Sequence, residues 1–460
     1  MRKTVVLDVV GLSYSLIGDH TPFLKQWMAA RHRATIDPML PALTTSVQST
    51  YVTGKWPSET GIVGNGWYDR TDSEVKFWKQ SNKLVAGEKI WDRARKLDPT
   101  FTVSKMFWWY NMYSSADYSA TPRPQYPSDG LKFPDCYTHP GDLRDRLQQE
   151  LGTFPLFQFW GPATTIKSSR WIADASMLVD KWHDPTLTLI YLPHLDYCLQ
   201  KFGTNPARIG NDLREIDDLC RDVIQYYEGK GAEVIVLSEY GITDVSRPVH
   251  LNRILRQAAP DMIQYREERG LELFDAGASR AFAVSDHQIA HVYINDPSVY
   301  EQVRTLLENT PGVERVLDRA QQKLEHIDHE RAGDLVVVAD ADSWFTYYYW
   351  LDDDRAPDFA RLVAIHQKPG YDPAEMFMDQ TNPLIKLKAG YKLARKKLGF
   401  RYLMNIISLD ATLVKGSHGR TGTPTEYHPV FISRHDAGAR LSPVAVYDQI
   451  WAALTATVPA

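Results

Sequence analysis

Three short stretches hold residues able to do chemistry. Asp8 interrupts the apolar strand TVVLDVV, where a carboxylate is costly unless it is paired or bound to a cation. In PALTTSVQSTYVTGKWP, Thr44 falls at the start of a helix running to about Thr53, before Gly54 and a Pro-containing turn. The free N–H groups and positive dipole end of a helix N-terminus suit a phosphate or an activated hydroxyl, although Thr also serves there as a plain cap. In VIVLSEYG, four β-formers lead to Ser238, Glu239, Tyr240 and Gly241. A buried parallel strand ends in this way when it presents polar side chains at its carboxyl edge.

The elements that must position these residues are strands alternating with helices. TLTLIYLPHLD and AEVIVLSEYG flank NDLREIDDLCRDVIQYYEGKG, in which Leu213, Ile216, Leu219, Cys220 and Ile224 recur at helical spacing before the glycines. Strand, helix, strand in that order is a parallel crossover. Its repetition predicts an α/β sandwich with active residues at strand carboxyl ends. AFAVSDHQIAHVYIND, SVYEQVRTLLENTPGVERVLD and AGDLVVVADADSWFTYYYW read as strand, helix, short strand and strand of a small inserted subdomain. The stretch from Phe107 to Asp135, rich in Trp, Tyr, Pro and Ser without a clear period, reads as an ordered lid or irregular loop that either packs or faces substrate. The expected division is a catalytic core of residues 1–255 and 405–460, a lid at about 100–140 within it, and a cap at 256–404.

Taken together, P-x-x-T at Pro41 to Thr44, TG-x-x-P at Thr53 to Pro57, and ETGIVGNGWYD at Glu59 to Asp69 resemble the type I phosphodiesterase and nucleotide pyrophosphatase branch of the alkaline phosphatase superfamily, which includes phosphonoacetate hydrolase. The likeness continues through YLPHLDYCLQKFG, VLSEYGI and GSHGRTGTPTEYHPVFI, in order from Asp8 to His418. It implies an alkaline phosphatase-like three-layer sandwich around a mainly parallel sheet. It also implies a hydrolase of phosphodiesters or pyrophosphates that passes through a covalent phospho-threonine. Thr44 would be the nucleophile and Asn65 a donor to the phosphoryl oxygens. Two divalent cations are implied, one held by Asp8, Thr44, Glu239 and Tyr240, the other by Asp196, Gln200 and His418.

The sequence departs from the family pattern at three of these positions. Gln200 and Tyr240 stand where His is expected, and Glu239 stands where Asp is expected. Each replacement keeps a group able to coordinate, and the oxygen-rich set opens the choice of metal to manganese, magnesium or iron as well as zinc. The alternatives are a catalytically impaired relative that binds a phosphorylated ligand, and a phosphomonoesterase or phosphonate hydrolase on the same fold. The expected partner is a small-molecule phosphate ester or phosphoanhydride.

Other candidates are weighed beside these. His194 lies two residues before Asp196, so a continuing strand would put both on one face; a hydrogen-bonded core histidine is the plainer reading. Asp286-His287 lacks the following Gly and reads as the edge of the inserted subdomain. His326 and His329 sit in a charged, exposed stretch, and Cys198 reads as a packed thiol.

Composition bounds the rest. The chain has 460 residues, of which 43% are hydrophobic and 24% charged, as in an ordinary globular protein. A net charge of -5 offers no general attraction to duplex nucleic acid or anionic lipid, with a local basic patch between Lys386 and Arg401. No run is apolar enough for a membrane span. Asp8 breaks up what could pass for a secretion signal. Three cysteines with no C-x-x-C pair fit reduced thiols, so a cytoplasmic location is expected.

Overall fold

The computed structural model describes residues 1–128 and 131–456. Its centre is the strand Thr4–Val9, whose six residues are all buried. It is flanked in parallel by Leu187–Leu192 and Glu233–Leu237. Burial of every residue, not every second one, means that both faces of the strand are covered. The helices Ile166–His183 and Pro206–Gly229 pack on each other and on these strands, while Thr44–Thr53 and Ala445–Thr455 pack together. Each Val or Leu buried in this way contributes about 2 kcal/mol, so the repeated apolar strands supply the driving force for the sandwich.

The full sheet has nine strands in the order Arg440–Leu441, His32–Ile36, Val430–Ser433, Glu233–Leu237, Thr4–Val9, Leu187–Leu192, Val103–Met106, Tyr118–Pro122, Cys136–His139. Only Val430–Ser433 and Cys136–His139 run antiparallel to their neighbours. The crossover helix forms as its periodicity predicts. Leu213, Ile216, Leu219, Cys220 and Ile224 are all on its buried side, Pro206 occupies its first turn, and Asn205 caps it through the Ala207 N–H. All three cysteines are free and buried. No described helix is long and apolar enough to cross a membrane.

A second body is built on a four-stranded antiparallel sheet in the order Ala281–Asp286, Ile289–Ile294, Leu335–Ala339, Val313–Leu317. AFAVSDHQIAHVYIND, read from sequence as one strand, is a hairpin of two. The chain reverses at His287, which adopts the left-handed conformation with φ of 58°. A run of mostly apolar residues hides such a reversal, because His is not a strong turn signal. The core of this body also takes in Ile62, Val63, Trp67, Tyr68 and Phe77, which follow the Thr44 helix in sequence, and Val245 to Leu255.

The hairpin tip ties the two bodies together. Gln288 N–H donates to the His418 carbonyl at 2.9 Å, and the Asp286 carboxylate accepts the Asn65 N–H at 2.9 Å. Gly241, which ends SEYG, is required by close approach, since a Cβ there would lie 1.5 Å from the Tyr427 carbonyl oxygen. Overpacking against a backbone atom that cannot step aside costs about 3 kcal/mol or more. Gly241→Ala is therefore expected to lower the denaturant midpoint sharply, and an unchanged midpoint would contradict the packing described here.

Candidate active site

The three stretches singled out in the sequence converge at the carboxyl end of the central sheet. Asp8 is paired in register with Tyr191 and Leu237, and Glu239 and Tyr240 follow two and three residues beyond that partner. Thr44 is the first residue of the Thr44–Thr53 helix, and Leu43 before it provides no side-chain cap. The Thr45 N–H is instead received by Asn65 Oδ1 at 3.2 Å. Asp196 sits in the first turn of the His194–Phe202 helix, with Gln200 one turn later.

A chain of hydrogen bonds connects these groups. Thr44 Oγ1 lies 3.1 Å from the Tyr240 hydroxyl, which donates to Asp196 Oδ1 at 3.3 Å. Gln200 Nε2 donates to Asp196 Oδ2 at 2.8 Å, and its Oε1 accepts from the Tyr371 hydroxyl at 3.4 Å. The Tyr240 ring stacks on His418 with centroids 3.6 Å apart. On the other side, Gln48 Nε2 donates to Glu239 Oε1 and, at 3.5 Å, to Asp8 Oδ2. The orientation of the Gln48 amide is set by the Trp109 N–H, which donates to its Oε1 at 2.7 Å.

Electrostatically the site is an excess of buried negative groups. Asp8, Asp196 and Glu239 are at most 7% exposed, and no Lys or Arg pairs with them among the described residues. Burial pushes the Asp196 carboxyl up to about 7. Asp8 is raised well above the carboxylate range by burial and by Glu239 facing it, and Glu239 is raised chiefly by burial. Asp286, buried against Asn65, is likewise pushed up to about 7 by burial. His418 is driven down to about 3 by burial and is therefore neutral. Its Nδ1 lies 2.7 Å from the Ala42 carbonyl oxygen, which can only accept, so the proton resides on Nδ1 and Nε2 keeps a free lone pair.

Unpartnered donor atoms at the site are of the kind that cations satisfy, although among the described residues the group of three His, Cys, Asp or Glu whose ligand atoms lie within 4.8 Å of one another is His194, Asp212 and Glu215, not these. Asp8 Oδ1, Glu239 Oε2 and His418 Nε2 are buried with no hydrogen-bond partner, and a cation would relieve the cost of burying ionised carboxylates. Gln200, as oriented, points its amide nitrogen, not its oxygen, at Asp196.

Several residues at the site were not singled out as its members by sequence. Gln48 lies four residues after Thr44, hence on the same helix face, and that spacing is the signal that could have found it. Asp286 receives both the N–H and the Nδ2 of Asn65, the latter at 3.2 Å. The His287 ring lies 3.8 Å from His418 and 3.9 Å from Tyr371. The subdomain edge is thus also a wall of the site. His194, by contrast, is on a helix, not a strand, and its Nε2 faces Asp212 at 3.2 Å. Cys198 is buried, its thiol 3.4 Å from the Leu195 carbonyl. His326 stacks on Trp56 away from these groups.

Above Thr44 opens a pocket with walls of Trp78, Trp109, Phe157, Phe159, Trp160 and Tyr371, and with Lys132 and His366 among its few polar groups. Trp109, Pro122, Pro124, Tyr126 and Lys132 come from the aromatic-rich stretch expected as a lid, which therefore faces the pocket. Its base is anchored from within: buried Lys105 donates to the Trp109 and Tyr110 carbonyls at 2.6 and 3.2 Å.

The raised carboxyls set a pH dependence for chelator-treated protein. Asp196 and Asp286 keep their protons to about pH 7 in the folded state, whereas unfolded Asp releases them near ~3.9. Between those values the folded chain binds more protons than the unfolded one, so stability falls as pH rises. Thermal unfolding in chelator is expected to show a falling midpoint from about pH 4.5 to pH 7.5. A midpoint rising across that window would contradict the assignment.

Comparison with known proteins places this geometry. The family described as type I phosphodiesterase / nucleotide pyrophosphatase matches residues 4–372. An uncharacterized pyrophosphatase/phosphodiesterase of Schizosaccharomyces pombe is 26% identical over 225 residues, 47% of this chain and 39% of that protein. The chain thus spans about two fifths of that relative's length. Ectonucleotide pyrophosphatase/phosphodiesterase 2 of Saccharomyces cerevisiae is 23% identical over 380 residues, covering 77% of this chain and 67% of that protein. Among solved structures, murine ectonucleotide pyrophosphatase/phosphodiesterase 5 superposes with a TM-score of 0.59 at 13% identity, covering 100% of this chain and 96% of that one. It is also known as an inactive threonine-to-alanine variant in complex with AMP. Phosphonoacetate hydrolase from Sinorhizobium meliloti 1021, in complex with phosphonoformate, gives 0.60 at 14% identity, with coverage of 99% and 96%. These likenesses identify the fold as alkaline phosphatase-like.

Proposed function

Because the chain belongs to the type I phosphodiesterase / nucleotide pyrophosphatase family, a family of phosphoester hydrolases, we propose that it is a metal-dependent hydrolase of phosphodiesters or phosphoanhydrides with Thr44 as nucleophile. The observation that carries this reading is the position of the Thr44 hydroxyl, at a helix start where Leu43 lends no side-chain cap, beneath an aromatic pocket and beside three buried carboxylates that lack a counter-charge.

Divalent cations at Asp8, Thr44, Glu239 and Tyr240, and at Asp196, Gln200 and His418, would supply Lewis-acid activation of the hydroxyl and neutralisation of phosphoryl charge. The chain's own groups do the rest. An ionised carboxylate can only accept, so Tyr240 donates to Asp196 and its oxygen receives the Thr44 proton. Thr44 Oγ1 then attacks phosphorus in line, the leaving group departs toward the pocket, and Asp196 is the terminal proton acceptor along that chain. Water resolves the phospho-threonine in a second displacement. Asn65 uses Nδ2 toward Asp286, and the second hydrogen of that amide remains to donate to a non-bridging oxygen. Asp286 is thus a positioning residue.

The walls of the pocket favour an apolar or flat leaving group, which aromatic faces hold by stacking and burial. The set of one imidazole, His418, with His287 beside it, three carboxylates and two hydroxyls is richer in oxygen than in nitrogen. It suits manganese, magnesium or iron as well as zinc. A second reading, a phosphate-ligand binder without turnover, draws on Gln200, whose amide nitrogen faces Asp196. Quenched reaction mixtures separate the two readings, since only the hydrolase accumulates phosphate on Thr44.

Thr44→Ala is expected to abolish turnover of metal-reconstituted protein on bis-p-nitrophenyl phosphate with an unchanged unfolding midpoint, and Thr44→Ser to keep part of it. A near wild-type rate for the Ala variant would overturn the assignment. Asn65→Ala removes a donor to the transition state, worth on the order of 3 kcal/mol or about 100-fold in kcat. Equal losses of bound metal and rate would instead make Asn65 structural.

A further inference from the structure

The basic patch between Lys386 and Arg401 takes no part in the site described above. The run holds seven Lys or Arg and no Asp or Glu, in a chain whose net charge is -5. Most of it forms the helix Ile385–Lys397, in which only Ile385 is buried. The helix is turned the opposite way to an ordinary surface helix. Leu384, Leu387, Tyr391 and Leu398 are 60 to 71% exposed, and their spacing of three, four and seven residues lines them up in one stripe. Lys388, Lys392, Arg395 and Lys396 are the half-buried cations. Phe400 and Leu403, both exposed, prolong the apolar surface beyond the helix. Among the described residues the run makes no ion pair with a carboxylate; Lys396 donates to the Lys132 carbonyl at 3.3 Å.

An apolar stripe left in water costs free energy, and unpaired cations beside it repel one another. A cover that answers both is apolar in the middle and anionic at the margin. A polyanion such as RNA would match the charge and leave the leucines wet. We propose that the Ile385–Lys397 helix and the Phe400–Leu403 segment dock this protein on an anionic lipid surface. The Leu384, Leu387, Tyr391, Leu398 stripe enters the headgroup boundary, and the flanking cations meet lipid phosphates and carboxylates. Lys396 lies 5.6 Å from the Phe157 ring centroid, and Phe157 and Lys132 both line the aromatic pocket, so the docking helix lies beside the pocket rim. This inference does not rest on the hydrolase reading.

The test is flotation of the full chain with vesicles of phosphatidylcholine alone and of phosphatidylcholine mixed with phosphatidylserine. The protein is expected to float with the mixed vesicles, to bind the neutral ones poorly, and to be released by salt. Leu387→Asp with Leu398→Asp is expected to abolish flotation. Lys386→Gln with Lys397→Gln is expected to lower partitioning roughly 25-fold, at about fivefold per cation. All four side chains are exposed, so both variants are expected to keep the wild-type unfolding midpoint. Absence of flotation by the wild type, or full flotation by the folded Leu→Asp variant, overturns the proposal. Binding to RNA or an acidic polypeptide without flotation also overturns it.

Discussion

Three carboxylates buried at one strand-end cluster without a basic partner are the constraint on which the rest of the site depends. Left ionised and uncompensated, Asp8, Asp196 and Glu239 would destabilise the core severely. Their raised proton affinities express that cost. Two things offset it. Neutral donors approach from each side, Gln48 toward Asp8 and Glu239, Gln200 and Tyr240 toward Asp196. The remaining unpartnered oxygens and the free Nε2 of His418 are ready for a cation. The second body contributes to the same cluster by holding Asn65 through Asp286 and placing His287 on His418.

This arrangement links the departures from the family pattern to one another. Tyr240 in place of a histidine reaches both Thr44 and Asp196. It thereby places a phenol between the Thr44 hydroxyl and the Asp196 carboxylate, and its ring stacks on His418. Glu239, one methylene longer than Asp, reaches far enough to share the Gln48 amide with Asp8. Gln200 forms a bridge between Asp196 and Tyr371, a residue of the second body. Tyr240 and Gln200 thus meet on Asp196, while Glu239 is held beside Asp8 by Gln48.

The parallel core was legible in the sequence because its signals are local. Apolar strands, the 3.6-residue period before Gly229, and Thr44 at a helix start each require only neighbours in the chain. The convergence of Asp8, Thr44, Asp196, Glu239 and His418 was legible through ordered motifs spread along the chain. What could not be read were contacts made across long sequence separations. Gln48 is oriented by Trp109, 61 residues away, and Asn65 by Asp286, 221 residues away. The hairpin turns at His287 and Gln288, neither of which is Gly, Asn or Asp, so its two strands read as one. His194 was misplaced on a strand because the strand ends at Leu192, and Pro193 starts a helix instead.

Whether the carboxylate cluster holds a cation is decided by calorimetric titration of manganese into chelator-stripped protein at pH 7, in two buffers of different ionisation enthalpy. Saturable binding with release of protons is expected, because a cation displaces the proton that burial holds on Asp196 up to about pH 7. Glu239→Gln is expected to weaken binding and reduce the protons released. Absence of saturable binding, or binding by Glu239→Gln indistinguishable from wild type, would contradict a cation held there.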